Sequence, residues 1–148
     1  MKCPKCQKET LKVNEKRDSE GEAAIRRRRE CTSCGHRFTT YERIEVPSLL
    51  VVKKNGEKEL YFREKLTKGI YKAFEKRPFE DVQIEELADE IEQEINVFGK
   101  KEIESQVIGD LTLKKIQKLD DIAYLRFASV YKSFDDVGMF KEELEKIG

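Results

Sequence analysis

The 148-residue chain has 30 Lys or Arg, 30 Asp or Glu and one His, so its formal net charge is zero; 41% of its residues are charged and 38% hydrophobic. No apolar run approaches the ~18 residues of a membrane span, and the length allows one ordinary domain or two small ones. The opening Met1-Lys2-Cys3-Pro4 has no apolar segment that would direct export, so a cytoplasmic protein with no membrane partner is expected. The neutral total hides an asymmetry: residues 1–46 hold 12 Lys or Arg against 8 Asp or Glu, and residues 47–148 hold 18 against 22. Seven of the ten arginines lie in the first 46 residues, which makes that segment the nucleic-acid candidate.

Cys3-Pro4-Lys5-Cys6 and Cys31-Thr32-Ser33-Cys34-Gly35 use all four cysteines in two CxxC pairs. Two such turns aim four thiolates at one tetrahedral ion. Zinc is the expected ion; iron suits the same sulfur geometry, and two disulfides would need an oxidising compartment. Four thiolates leave zinc no open position, so the metal is read as structural, and bound zinc subtracts two charges from the basic end.

Between the pairs, Asn14 to Glu22 reads as a polar loop with a turn at Ser19-Glu20-Gly21, feeding a strand from Ala23 through Arg26-Arg27-Arg28-Arg29. Arg26 and Arg28 should face one way on that strand, Arg27 and Arg29 the other. His36 to Val46, rich in aromatic and β-branched residues, reads as the partner strand. Arg26, Arg27, Arg28, Arg29, Arg37 and Tyr41 are the nucleic-acid candidates, because phosphate contacts need clustered cations. Solvated charges, or ion pairs with Glu22, Glu30 and Glu42, are the plainer alternative. Pro47-Ser48 is the expected linker.

Leu49 to Lys54, Asn55-Gly56 and Glu57 to Phe62 predict a β-hairpin with a type I′ turn. Helical spacing follows in Leu66, Ile70, Ala73 and Phe74, then Ile84 to Ile95, then Ile103, Val107 and Leu111, then Ile122 to Val130. Pro78 and Gly99 punctuate these helices, Asp120 or Asp121 caps the last, and a tail from Asp136 to Ile147 adds a fifth. Lys53 and Lys54 precede the hairpin turn and Lys65 opens the first helix; no GxxxxGK[ST] accompanies them. On residue chemistry alone they form a surface charge cluster. Tyr124, Phe127, Tyr131 and Phe134, at helical spacing, read mostly as core. A nucleotide hydrolase or kinase would need a catalytic base and metal carboxylates that the lysines lack.

Ile25-Arg26-Arg27-Arg28-Arg29-Glu30-Cys31 and Arg37-Phe38-Thr39-Thr40-Tyr41-Glu42-Arg43, with the cysteine pairs, resemble the zinc ribbon of the bacterial NrdR repressors of ribonucleotide reductase genes. Val51-Val52-Lys53-Lys54-Asn55-Gly56, Arg63-Glu64-Lys65-Leu66 and Ala123 to Tyr131 resemble the ATP-cone of the same family. The resemblance implies an α+β protein: a zinc ribbon over residues 1–46, a mainly helical ATP-cone over 47–140 opened by the hairpin, and a helical tail over 141–148. It implies a non-enzymatic repressor that binds ATP or dATP, changes its homo-oligomeric state and acts on double-stranded promoter DNA. Carried across by position, Val51 lines the adenine side with Leu66 nearby, Lys53, Lys54 and Lys65 meet phosphates, and Glu59 contacts base or ribose. Tyr131 is placed at a second nucleotide or a subunit contact. The family's usual Lys-Arg-Asp-Gly is Lys53-Lys54-Asn55-Gly56 here, which keeps the charge but loses the guanidinium fork.

Overall fold

A computed structural model describes residues 1–18, 24–44 and 48–147. The chain is α+β and divides into two compact units, Met1–Glu45 and Val46–Gly148.

The first unit is an antiparallel sheet in the order β1-β2-β3, with β1 at Leu11–Asp18, β2 at Ala24–Cys31 and β3 at Arg37–Arg43. The segment from Asn14 that reads as a loop is, up to Asp18, the greater part of β1. Its residues are polar on both faces, so no alternation marks it, and pairing with β2 from Leu11↔Cys31 to Asp18↔Ile25 supplies its order. A bulge at Asn14 shifts the register between Val13 and Glu15. The expected Ser19-Glu20-Gly21 turn, and Ala23, lie outside the described residues, as do Glu45, Val46 and Pro47.

In the second unit, β4 (Leu50–Val52) pairs antiparallel with β5 (Lys58–Leu60) and parallel with β6 (Glu102–Glu104). The hairpin at Asn55-Gly56 is present, but only Gly56 of the two has positive φ, at 85°. Gly56 N–H donates to the Lys53 carbonyl and Lys53 N–H to the Glu57 carbonyl, which makes a three-residue loop closed by a glycine bulge in place of the type I′ turn. Asn55 Oδ1 accepts from Glu57 N–H at 3.0 Å, holding the asparagine at negative φ.

Helices α1 (Arg63–Ala73), α2 (Asp81–Val97), α3 (Ser105–Gln117) and α4 (Asp121–Tyr131) follow, then α5 (Val137–Glu145). Asp120 caps α4 by accepting from Ala123 N–H at 2.8 Å. Ile103, which helical spacing places on the third helix, lies instead on β6, where pairing with Val51 buries it before α3 starts. Ile70, Ile91 and Ile116, from α1, α2 and α3, are fully buried with Ala123 and Ala128 of α4. Each of the three isoleucines contributes about 1.5–3 kcal/mol on burial. Polar clamps fix the helix register: Arg63 at the start of α1 pairs with Glu85, Asp89 and Glu92 of α2, and Arg77 grips Asp120 through two nitrogens at 2.7 and 2.9 Å.

Candidate metal centre and ligand pocket

The four cysteine Sγ atoms lie within 4.8 Å of one another. Cys3 Sγ is 3.7 Å from that of Cys34, and Cys6 Sγ is 3.6 Å from that of Cys31. A tetrahedron of sulfurs ~2.3 Å from one zinc has edges of ~3.8 Å, so the set fits a single ion. Both knuckles are built alike. Gln7 N–H donates to the Cys3 carbonyl and Gly35 N–H to the Cys31 carbonyl, with Gln7 and Gly35 both in the left-handed region. Burial raises the Cys31 thiol, but N–H groups of Cys34 and Ser33 and the Thr10 hydroxyl bring it down to about 6. Cys34 receives an N–H from His36, yet burial and the other three thiols push it up to about 11. Four sulfurs so close cannot all ionise without a cation among them.

On the same unit the arginines separate by face. Arg27 donates to Glu42 at 3.1 Å and Arg29 to Thr40 at 2.9 Å. Arg26 and Arg28 stand on the opposite face beside Tyr41 and Thr39, and Arg37 pairs with Glu30 at 3.0 Å. Arg43 lies over the Tyr41 ring, 4.4 Å from its centroid.

In the second unit a cavity of about 890 Å3 opens between the hairpin, α1, α3 and α4. Of the seven positions singled out there from sequence, Val51, Lys54, Glu59, Lys65, Leu66 and Tyr131 line it. Lys53 does not, but its Nζ is 3.0 Å from Glu59 Oε2, the same oxygen that takes Lys65 Nζ at 2.9 Å. Hydrogen bonds from Lys65 and then Lys53 outweigh burial and keep the Glu59 carboxyl below its ordinary range.

Tyr131 forms one wall. Its hydroxyl lies 2.9 Å from the Gln106 carbonyl and 3.0 Å from Asp110 Oδ1, and burial followed by the Asp110 charge raises it to about 12. Its ring packs against Gly109, where any Cβ would collide with it, and Lys54 Nζ stands 5.9 Å from its centroid. Sequence reasoning missed Phe127, which helical spacing assigned to the core but which is half-buried on the cavity wall. It also missed Lys72 and Arg126, whose Nη1 donates to the Glu75 carbonyl at 2.6 Å beyond the C-terminus of α1. The i, i+4 spacing of Phe127 and Tyr131 was the available signal.

A four-cysteine ribbon followed by a hairpin-opened helical domain with a lysine-rimmed pocket makes a two-module protein of the zinc-ribbon and ATP-cone class. The "Transcriptional repressor NrdR-like, N-terminal domain" family matches residues 1–42, and the "ATP cone domain" family matches residues 49–137. The chain is 46% identical over 145 residues to a transcriptional repressor NrdR of Lacticaseibacillus casei, covering 98% of this chain and 94% of that one. It is 47% identical over 147 residues to its counterpart in Clostridium tetani, covering 99% and 97%. The Listeria monocytogenes serotype 4a protein is 46% identical over 147 residues, covering 99% and 96%. The chain belongs to the NrdR family of transcriptional repressors, and is a regulator rather than an enzyme.

Proposed function

We propose that this repressor binds promoter DNA of ribonucleotide reductase genes through its zinc ribbon, and that ATP or dATP in the cone sets its homo-oligomeric state and thereby its grip on DNA. The observation that carries the nucleotide half is Glu59 held between Lys53 and Lys65 at the rim of a mostly apolar cavity: the carboxylate marks where an anion sits, and a triphosphate is a stronger one. About 890 Å3 falls within the range of small-molecule pockets. Val51 and Leu66 offer an apolar wall for adenine, Lys53, Lys54 and Lys65 meet phosphates, and Glu59, released from its lysines, turns to base or ribose. Tyr131 holds the far wall.

Cys3, Cys6, Cys31 and Cys34 would hold one zinc ion, which supplies a closed, non-catalytic cross-link between the two knuckles. The protein would work in the cytoplasm; among the described residues no helix is long and apolar enough to cross a membrane.

Nucleotide acts only through a difference in affinity between assemblies, since a ligand that binds both equally shifts nothing. The test is calorimetric titration of the zinc-loaded chain with ATP and with dATP, paired with sedimentation at each saturation. Saturable binding with different particle sizes for the two nucleotides is expected; no binding to either would overturn the reading. Phosphate release faster than about one per minute would favour a hydrolase.

A further inference from the structure

We infer that Thr10 is a positioning residue of the metal centre: its hydroxyl donates to Cys31 Sγ across the gap between the two knuckles and, backed by Ser33, sets how tightly the ribbon holds its ion. This rests on the reading of Cys3, Cys6, Cys31 and Cys34 as ligands of one zinc. Thr10 Oγ1 lies 3.6 Å from Cys31 Sγ and 2.6 Å from Ser33 Oγ. A hydroxyl has one proton to give, and a metal-bound thiolate can only accept. The Thr10 proton therefore goes to sulfur and the Ser33 proton to Thr10 Oγ1, so the two hydroxyls form a short relay that ends on the thiolate. Hydrogen bonds to an anion are stronger than neutral ones, and each bond in such a chain polarises the next.

The backbone builds this contact. Strand β1 enters its pairing at Leu11↔Cys31, and the ladder runs one step further: Thr32 N–H donates to the Thr10 carbonyl at 2.8 Å, and the Thr32 hydroxyl donates to the same oxygen at 3.2 Å. The chain leaving the first knuckle is thereby strapped to the tip of the second. Cys31 is fully buried, where a sulfur that carries charge depends on donors close by. Backbone N–H groups serve both buried sulfurs, from Lys5 and Cys6 at Cys3 and from Ser33 and Cys34 at Cys31. Among the described residues only Cys31 also takes a side-chain hydroxyl. The knuckles, alike in backbone, differ at this one contact, where a threonine that is otherwise exposed turns its oxygen in to sulfur. A group that donates to a metal ligand fixes its orientation and tunes the metal, and its removal typically costs about 10–100-fold in affinity.

The test uses the full-length chain loaded with Zn2+, or with Co2+, whose thiolate-to-metal charge-transfer bands report on the sulfurs directly. Thr10→Val keeps the shape and deletes the hydroxyl, Thr10→Ser keeps the hydroxyl, and Ser33→Ala removes only the far end of the relay. Zinc affinity is read by competition with a chromophoric chelator. Thr10→Val should bind zinc about 10–100-fold more weakly. Its cobalt charge-transfer band should move to lower energy, because a sulfur relieved of a proton donor gives up an electron more easily. Thr10→Ser should restore both readouts to near their native values, and Ser33→Ala should shift both in the Thr10→Val direction by less. A merely structural threonine would weaken zinc binding without moving the band, so weaker binding with the native band overturns the proposal. Native zinc affinity in Thr10→Val, or a band that Thr10→Ser leaves displaced, also overturns it. If Thr10→Val takes up no metal, Ser33→Ala decides: a displaced band supports the relay and a native one overturns it. A native chain whose cobalt spectrum lacks the signature of four thiolates around one tetrahedral ion would overturn the single-zinc reading itself, and this inference with it.

Discussion

Glu143 of α5 is buried where Lys132, Lys146 and the Tyr124 hydroxyl converge on its carboxylate, with Lys132 Nζ at 2.6 Å and Lys146 Nζ at 3.0 Å. Burial alone would raise its pKa, but the ammonium groups and the hydroxyl hold it at about 2 against an ordinary 4.5. A depressed folded-state value means that the stabilisation is complete above the ordinary value and lost as pH falls toward the folded one. The melting-temperature difference between the native chain and Glu143→Gln should therefore hold at neutral pH and shrink between about pH 5 and pH 2; a difference unchanged across that range would contradict this. Arg63 sits among three carboxylates, with Asp89 2% exposed. Replacing it with Met should destabilise the second unit by about 3–5 kcal/mol in urea unfolding, because Asp89 stays buried, and Glu85 and Glu92 partly so, without their cation; a loss below about 1 kcal/mol would show that the clamp relaxes. Neither cluster is legible from sequence. Arg63 meets partners 22 to 29 positions away and Glu143 meets Tyr124 from 19 away, and a charged residue in a 41% charged chain carries no mark of burial. The cysteines are legible because spacing alone aims their thiols.

At the scale of elements, helical periodicity locates α1, α2 and α4, and Asp120 announces its cap. The strands that escape are those whose order comes from a partner. β1 has no apolar alternation, and β6 is three residues long, with Ile103 equally suited to the helix that follows. Turn type escapes too, since Asn-Gly serves both the type I′ turn and the bulged loop adopted here. Close approach between α3 and α4 rests on Gly109, and it yields a prediction for the pocket. Gly109→Ala must displace the Tyr131 ring, costing about 1–3 kcal/mol of stability and weakening nucleotide binding. Tyr131→Phe, which keeps the ring and loses the contacts to Gln106 and Asp110, should bind nucleotide better than Gly109→Ala does; calorimetry on both variants orders them, and the reverse order would remove the ring from the pocket wall.

Across the whole molecule, each unit has its own means of staying folded: a four-cysteine cluster that fits one metal ion for Met1–Glu45 and an apolar core for Val46–Gly148. Stripping zinc with a chelator should abolish DNA binding while leaving nucleotide binding within about twofold, as structural zinc supplies folding energy to the small module alone. Joint loss of both activities would show that the units depend on one another for folding. On the proposed function, a nucleotide signal passes from the second unit to the first through assembly, and a coupling of about 1–3 kcal/mol would change affinity some 5- to 150-fold. The most direct test is the affinity of the zinc-loaded chain for ribonucleotide reductase promoter DNA at fixed salt, titrated with ATP and with dATP beside a scrambled duplex. The account predicts promoter-specific binding that differs at least fivefold between the two nucleotides; promoter affinity equal to that of the scrambled duplex, or indifferent to which nucleotide is bound, would contradict it.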